Sequence, residues 1–260
     1  MYKNLVYNLQ NMKGKTKVII LAAGKGVRMG GDLPKVLAQV KGKPMIKYVL
    51  ESVEKSGVDA NPIVVVGYKK ELVIKELGEK YHYLFQEKQL GTGHAVKLAK
   101  EFLKEKADNI IVLYGDHPFI TPETIRKISE KHFASGKKIT MATVKLPDFR
   151  DWRINFVSFS RIIRDENGKI VKDVQYKDAS DAEIKVTEVN HCYFCFEAKW
   201  LWEKLEKLEN NNAQKEYYLT DLIKMATAER VEIESVEIAP REALGVNTKA
   251  GLEVLERFNI

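Results

Sequence analysis

Apolar runs alternate with amphipathic segments along the first 148 residues of the chain. Short apolar runs between glycine, proline or polar residues predict buried strands, whereas apolar positions spaced three and four apart predict helices. Thr121 followed by Pro122 indicates a helix start, because threonine caps a helix and proline suits its first turn. The predicted strands cover 17–23, 62–66, 83–85, 109–114 and 138–144, and the predicted helices cover 45–56, 70–77, 93–105 and 122–135.

The pattern changes near residue 149, after which longer strands are predicted. Strand–helix alternation predicts an α/β, Rossmann-like, mixed and mostly parallel sheet flanked by helices, with ligands at the carboxyl ends of its strands. We expect an N-terminal extension over 1–16 and one domain over 17–260, with an α/β half (17–148) and a β-rich half (149–260). The later elements are strands 155–164, 169–175, 186–196 and 232–238, turns 166–168 and 178–181, and helices 199–208, 218–229 and 249–258.

The charge balance argues against a nucleic-acid partner. The formal net charge is +7, but the lysines are mixed with acids and spread along the chain. A nucleic-acid-binding surface more often clusters basic residues between aromatic ones. No apolar stretch is long enough to span a membrane, and residues 1–15 contain no apolar core of a signal peptide. We therefore expect a cytoplasmic protein with small-molecule substrates, and the sequence predicts no oligomeric state.

The two cysteines, Cys192 and Cys195, have the spacing of a metal or redox pair. They lie in a predicted strand, where positions three apart point to opposite faces. The chain also has no second cysteine pair that could complete a zinc site. Buried structural thiols are the preferred interpretation.

The first predicted strand runs into a glycine-containing loop with the sequence LAAGKGVRM over 21–29, followed by LPK over 33–35. Glycine lets backbone N–H groups approach an anion, Arg28 offers a planar fork and Lys35 a point charge, so the loop predicts a polyphosphate site. The spacing excludes a dinucleotide fingerprint, because Met29 stands where the last glycine is needed. It also excludes a P-loop, because Asp32 follows Gly31.

This loop and the motifs after it resemble those of sugar-1-phosphate nucleotidyltransferases, and in particular the uridyltransferase domains of bacterial N-acetylglucosamine-1-phosphate uridyltransferases. Val27 replaces a threonine of the family pattern. The resemblance implies a fold of the nucleotide-diphospho-sugar transferase type, and we expect no acetyltransferase domain in a chain of this length. The matching motifs are QLGTGHA (89–95), YGD (114–116), RIIR (161–164), KDA (177–179), NAQ (212–214), EYYLTD (216–221) and GVN (245–247).

The resemblance implies attack of a sugar-1-phosphate oxygen on the α-phosphorus of a nucleoside triphosphate, with pyrophosphate leaving. Arg28 would hold the β- and γ-phosphates, and Lys35 would lie nearer the transferred phosphate. Asp116 and Asn247 would hold Mg²⁺, which keeps waters and phosphates as its other ligands. His117 has no expected role. The expected nucleotide-binding residues are Leu21, Ala22, Ala23, Gly24, Gln86, Gln89, Gly91, Thr92, Tyr114 and Gly115.

The sugar side departs from the family pattern. Ser160 replaces a glycine that lines the sugar's acyl group, and Gln175 replaces a glutamate that binds sugar hydroxyls. His191 and Cys192 replace a threonine and a glycine. We therefore expect a hexose-1-phosphate acceptor, either N-acetylglucosamine-1-phosphate or a related sugar. The expected sugar-binding residues are Ser160, Gln175, Asn190, Tyr218 and Thr220.

These features together predict a magnesium-dependent transfer of a uridylyl group from UTP to a sugar-1-phosphate. The Gln86 amide has both a donor and an acceptor and can bind the uracil edge. One alternative keeps the fold but uses CTP or dTTP with another phosphorylated acceptor. Another alternative is a non-catalytic protein that binds nucleotide sugars, although the retention of Arg28, Lys35, Asp116 and Asn247 argues against it.

Overall fold

The structure is a computed structural model that describes residues 15–26, 32–246 and 249–257. Within these ranges the strands are β1 (Thr16–Ala22), β2 (Gln39–Val40), β3 (Lys43–Pro44), β4 (Ile63–Val66), β5 (His82–Phe85), β6 (Asn109–Tyr114), β7 (Ile139–Lys145), β8 (Arg161–Arg164), β9 (Ile170–Val174), β10 (Glu188–Glu197) and β11 (Ile233–Glu237). The helices are α1 (Met45–Ser56), α2 (Lys70–Leu77), α3 (Thr92–Lys97), α4 (Lys100–Leu103), α5 (Pro122–Ser135), α6 (Asp181–Ile184), α7 (Ala198–Leu205), α8 (Asp221–Ala228) and α9 (Lys249–Glu256). Short 3-10 helices cover Lys35–Leu37, Asp151–Phe156, Tyr176–Asp178 and Pro240–Ala243.

One mixed sheet runs through both halves of the chain. Its order is β11-β7-β10-β6-β1-β4-β5, with β8 paired to β10 and β9 paired to β8. Along this order every pair is parallel except the two that β10 makes with β6 and β7. The expectation of a mixed, mostly parallel sheet flanked by helices is thereby confirmed. The division into an extension and one domain stays a prediction, because residues 1–14 lie outside the described ranges.

The central strands β1, β4 and β6 are apolar and buried on both faces. Strands covered by helices on both sides have no polar face, which is why the sequence shows continuous apolar runs instead of alternation. Helices α1 and α5 pack on one face of the sheet, through residues such as Val49 and Ile128. Helices α3, α7 and α8 pack on the other face, through residues such as Val96, Leu201 and Ile223.

The prediction of one strand over 155–164 was wrong. The segment begins inside the 3-10 helix Asp151–Phe156, and only β8 is extended. The reason is Arg161, whose guanidinium is buried and donates to the carbonyl oxygen of Val157 at 2.9 Å. Because that hydrogen bond joins Arg161 to a carbonyl oxygen four residues earlier, it favours the turn that the structure has over 157–159 instead of an extended strand.

Other elements also differ from the prediction, among them the helices predicted over 199–208 and 218–229, which cover Ala198–Leu205 and Asp221–Ala228. The predicted turn 178–181 leads into α6, which begins with a capping box between Ser180 and Glu183. The Ser-x-x-Glu spacing is a sequence signal for such a start. The helix predicted over 93–105 is divided into α3 and α4.

The interpretation of the cysteines as structural thiols is supported by their positions. Cys195 belongs to the core on the α1 side of the sheet, whereas Cys192 packs against the core on the α7 side. Both thiols are free, and burial raises the pKa of Cys192 to about 12. Such a thiol is protonated at neutral pH and is a poor nucleophile or metal ligand.

No helix in the part of the chain that the structure describes is both long enough and apolar enough to cross a membrane.

Candidate active site

A cleft of about 410 Å³ opens where β1 and β6 end. This is the carboxyl edge of the parallel strands, where sheets of this class bind ligands. Ala22 and Gly115 lie behind the wall of the cleft, where the Gly115 N–H donates to the Leu21 carbonyl oxygen at 2.9 Å. The predicted nucleotide-binding residues that line the cleft are Leu21, Ala23, Gly24, Gln86, Gln89, Gly91, Thr92 and Tyr114.

The glycine loop after β1 folds back toward Lys35. Gly26 has a φ of +66°, and a Cβ at this position would lie 2.8 Å from the Cβ of Lys35. A larger residue would therefore be strained and would also displace the lysine. Arg28, the other predicted phosphate ligand, lies outside the described residues.

Lys35 and Asp116 form an ion pair on the wall of the cleft. Lys35 begins a 3-10 helix, and Asp116 follows β6 by two residues. Burial opposes ionisation of Asp116, but His117 and the Lys35 ammonium outweigh it and lower the pKa of the carboxyl group. The pair therefore places a carboxylate and an ammonium group next to each other where an anionic substrate would enter.

The Asp116 carboxylate has the chemistry of a Mg²⁺ ligand. It is ionised, it is an oxygen donor and it already faces a cation, while Mg²⁺ in proteins commonly takes one or two carboxylates together with substrate phosphates. Asn247, the second predicted ligand, lies outside the described residues. No group of three or more His, Cys, Asp and Glu side chains that could hold a metal occurs among the residues described.

His117 stacks between the rings of Tyr114 and His191. Its Nε2 is 3.9 Å from Asp116 Oδ1, and burial lowers the pKa of its imidazole. A ring that stacks on two aromatic rings supports the shape of the site.

The Gln86 amide is held in one orientation. Its Nε2 donates to the Gly91 carbonyl oxygen at 3.0 Å and lies 2.9 Å from His94 Nδ1. A carbonyl oxygen can only accept, so the nitrogen must face Gly91. Burial lowers the pKa of His94, which agrees with a neutral ring beside the amide. In a side chain that lines the cleft, Oε1 is then the end left to accept from a ligand.

Loops from the two halves of the chain are joined next to the cleft. Gly91 has a φ of +101°, and a Cβ there would lie 2.6 Å from the Tyr217 carbonyl oxygen. The Gly93 N–H donates to that same oxygen at 2.8 Å, and the Leu219 N–H donates to Thr92 Oγ1 at 2.9 Å. These contacts bring Glu216 into the wall of the cleft, a position that the sequence analysis had not assigned to the site.

A second cavity, of about 950 Å³, contains three of the five predicted sugar-binding residues, Gln175, Tyr218 and Thr220. The Tyr218 hydroxyl donates to Gln214 Oε1 at 2.7 Å. Segment 212–221 lines this cavity and also supplies Glu216 to the 410 Å³ cleft, so the two spaces share one loop as a border. The charged residues on the wall are Lys177, Asp178, Lys207, Glu209, Asp221 and Lys224.

Ser160 and Asn190, the other two predicted sugar-binding residues, are buried and do not line the cavity. Asn190 Nδ2 donates to Asp173 Oδ2 at 2.7 Å, and Asn190 Oδ1 accepts from the Cys192 N–H at 2.7 Å. Asp173 was not among the predicted sugar-binding residues, although an acid two residues before Gln175 in a predicted strand lies on the same face.

The chain is similar to known nucleotidyltransferases. Residues 18–224 match the family model of the MobA-like NTP transferase domain. Bifunctional protein GlmU of Caldicellulosiruptor saccharolyticus is 38% identical over 248 residues, which cover 95% of this chain and 52% of that protein. Bifunctional protein GlmU of Clostridium acetobutylicum is 42% identical over 236 residues, which cover 90% of this chain and 50% of that protein. The chain thus spans about half the length of these relatives.

Two solved structures share the fold. A putative glucose-1-phosphate thymidylyltransferase from Bacillus anthracis, in complex with a sucrose, superposes with a TM-score of 0.73 at 19% identity and covers 94% of this chain and 97% of its own. A CMP:2-keto-3-deoxy-manno-octonic acid synthetase complexed with CTP gives a TM-score of 0.67 at 17% identity, over 93% of this chain and 97% of its own. The chain therefore belongs to the family of MobA-like NTP transferases, and it is a nucleotidyltransferase.

Proposed function

We propose that this nucleotidyltransferase moves a uridylyl group from UTP to a sugar-1-phosphate and releases pyrophosphate. The acceptor is N-acetylglucosamine-1-phosphate or a related hexose-1-phosphate. One observation carries the proposal: the Lys35–Asp116 ion pair and the Gln86 amide line the same cleft, and a second polar cavity lies beside it. One space suits a nucleotide and the other a phosphorylated sugar.

The orientation of Gln86 favours uracil or thymine over cytosine. Its nitrogen is occupied by Gly91 and His94, so the free oxygen can only accept. Uracil and thymine carry an N–H at ring position 3 that can donate to this oxygen. Cytosine has an unprotonated nitrogen at that position, and its lone pair would be repelled by the lone pairs of the oxygen. The alternative with CTP is therefore less favoured, while UTP and dTTP remain to be separated by experiment.

The charged pair fits the demands of phosphoryl chemistry. A phosphate oxygen of the acceptor attacks the α-phosphorus, the bond from this phosphorus to the bridging oxygen breaks, and pyrophosphate leaves with the bonding electrons. Both reactants are anions, so the protein must position them and neutralise the charge that develops. The Lys35 ammonium provides one positive charge at the site, and Arg28 is proposed to provide another.

Asp116 would hold a Mg²⁺ ion together with Asn247. Such an ion, when bound, would neutralise phosphate charge and bridge the nucleotide to the protein. The Lys35 ammonium, which pairs with Asp116 in the structure, would donate to a phosphate oxygen of the substrate.

A panel of substrates tests the proposed function. UTP, dTTP, CTP, ATP and GTP are each combined with glucose-1-phosphate, glucosamine-1-phosphate and N-acetylglucosamine-1-phosphate, and pyrophosphate release is measured with product masses. We expect the highest kcat/KM with UTP and one of the hexose-1-phosphates. Preference for CTP, or no turnover of any pair, would contradict the proposal.

Asp116→Ala tests the assigned metal ligand. The variant should lose at least a hundredfold in turnover, because the metal and the Lys35 ammonium would both lose their partner at this carboxylate. Mg²⁺ binding measured by calorimetry in the presence of UTP should weaken in parallel. The matched control is Asp181→Asn, which removes an exposed acid outside both cavities and should leave activity and metal binding unchanged. Full activity of Asp116→Ala would show that the assignment is wrong.

A further inference from the structure

Asp173 is a buried carboxylate with one unoccupied oxygen. The residue is only 6% exposed. Its Oδ2 accepts from Asn190 Nδ2 at 2.7 Å, but its Oδ1 has no hydrogen-bond partner among the residues described. The Ser160 hydroxyl lies close enough to favour the charged form, yet it makes no hydrogen bond of acceptable geometry to Oδ1.

The surroundings of Asp173 belong to the sugar side of the site. Its two polar neighbours, Ser160 and Asn190, are both among the predicted sugar-binding residues. Gln175 lies two residues further along the chain and lines the 950 Å³ cavity. From helix α8, Asp221 and Lys224 also line this cavity, and both act electrostatically on Asp173. Asp173 itself does not line the cavity, but Gln175, two residues along the chain, and the two residues that act on it electrostatically do.

A free oxygen at this depth is unfavourable unless something donates to it. Burial raises the pKa of Asp173, against the opposing effect of Ser160 and Asn190. Buried polar groups without a partner are uncommon in folded proteins and call for a specific explanation, such as a bound ligand or an ordered water. Shielding from bulk water also strengthens any hydrogen bond that the oxygen accepts.

We propose that Asp173 is a specificity-determining residue for the acceptor, and that its Oδ1 accepts a hydrogen bond from a hydroxyl or ammonium group of the sugar. This inference rests on the proposed function, because it requires a sugar phosphate in the second cavity. Asp173 is not among the residues that line the cavity, so its contact with the sugar would follow a rearrangement of the cavity wall when the substrate binds. A site built to bind a donor in this way discriminates strongly against sugars that lack the donor.

The substitution Asp173→Asn tests the free oxygen with little change in shape. The new amide oxygen takes over the bond from Asn190, so the amide nitrogen occupies the position of the free oxygen and replaces an acceptor with a donor. We expect kcat/KM for the preferred sugar phosphate to fall about ten- to a hundredfold through the acceptor KM, which is the range for a lost bond to a charged group. The KM for UTP and the thermal midpoint should stay near the wild-type values.

Sugar analogues identify the donor group. For the deoxy analogue that lacks the hydroxyl bound by Asp173, the wild type and Asp173→Asn should have equal kcat/KM. If the donor is an ammonium group, the loss should instead be largest with glucosamine-1-phosphate. The control variant Asp181→Asn removes an exposed acid from α6 and should behave as the wild type with every sugar.

The possible outcomes separate this inference from the proposed function. Wild-type turnover together with an unchanged acceptor KM in Asp173→Asn would overturn the inference alone, and would mean that Oδ1 binds only a buried water. A fall in the thermal midpoint with equal changes in both KM values would also overturn it, since that pattern indicates a structural role. Absence of wild-type turnover with every substrate pair would overturn the proposed function and this inference with it.

Discussion

At the scale of single residues, the orientation of side-chain amides decides what each site can recognise. Gln86 and Asn190 each carry an amide with a donor and an acceptor. The protein binds the nitrogen of Gln86, and it binds both the nitrogen and the oxygen of Asn190. Gln86 lines the 410 Å³ cleft with its nitrogen bound to the Gly91 carbonyl oxygen, whereas Asn190 has its nitrogen bound to Asp173 and its oxygen to a backbone N–H. Asn190 therefore depends on Asp173 for its orientation.

The first prediction concerns Gln86. Gln86→Leu keeps much of the side-chain volume but removes the oxygen that would accept the N–H of uracil. We expect kcat/KM for UTP to fall about tenfold, the usual effect of one lost hydrogen bond to a substrate, while kcat/KM for CTP changes little. Steady-state kinetics with both nucleotides measures the change in selectivity.

The control for this experiment is Gln39→Leu, a substitution at an exposed position in β2. It should leave both nucleotides unaffected. An unchanged ratio of UTP to CTP activity in Gln86→Leu would show that another group recognises the base.

At the scale of elements, strand β10 connects the two halves of the site. It is antiparallel to both β6 and β7, and its pairing with β7 shifts register between Asn190 and Phe194. Cys192 lies inside this bulge with a φ of +65°. Asn190, where the bulge begins, donates from its side chain to Asp173 and from its backbone N–H to the Ser160 carbonyl oxygen.

The second prediction compares two substitutions at Cys192. Both Cys192→Ala and Cys192→Gly remove the thiol, but only glycine adopts a positive φ without strain. Cys192→Gly should therefore be more stable than Cys192→Ala by about 1 kcal/mol, in the free energy of unfolding measured with urea. Alanine serves as the matched control for loss of the buried sulfur. Equal or reversed stabilities would mean that the bulge relaxes to a negative φ.

At the scale of the whole molecule, buried ionisable groups make stability depend on pH. His132 of α5 is 3% exposed, and its Nδ1 lies 3.0 Å from the Thr140 hydroxyl oxygen of β7. Burial lowers the pKa of His132 to about 4, although Glu197 opposes the shift. The imidazole is therefore neutral in the folded protein across most of the acidic range.

The third prediction follows from the sign of this shift. Between pH 6.5 and about pH 4 the unfolded chain binds a proton that the folded chain does not, so stability falls as the pH drops through this window. The loss from His132 is about 3 kcal/mol. In His132→Gln, the decrease in unfolding free energy from pH 7.5 to pH 4.5 should be smaller by about 2 kcal/mol.

Urea unfolding at the two pH values measures this difference, and His82→Gln, at an exposed position of β5, should keep the wild-type decrease. If His132→Gln shows the full decrease as well, other groups account for the acid sensitivity of the fold.

Local patterns in the sequence were sufficient for the main-sheet strands of the α/β half and for most helices, but they missed the short strands β2 and β3. The apolar runs of β1, β4 and β6 are unambiguous because both faces of these strands are covered. The pattern failed at 155–164, where a buried arginine binds carbonyl groups of the preceding segment. Hydrophobicity carries no information about such a bond, since arginine is counted as polar wherever it lies.

For the candidate site, too, local sequence patterns determined some features and tertiary contacts determined the others. The glycine loop, Lys35 and Asp116 could be predicted as site residues from the sequence, because such residues at the ends of apolar strands have a local chemical meaning, whereas Glu216 in the wall of the cleft was not predicted. Only the tertiary structure could pair Lys35 with Asp116, fix the Gln86 amide and place Asp173 beside Asn190, because these partners are separated along the chain and meet only when the sheet forms. Motifs determine which groups are available, and packing determines which atoms of those groups are left for a ligand.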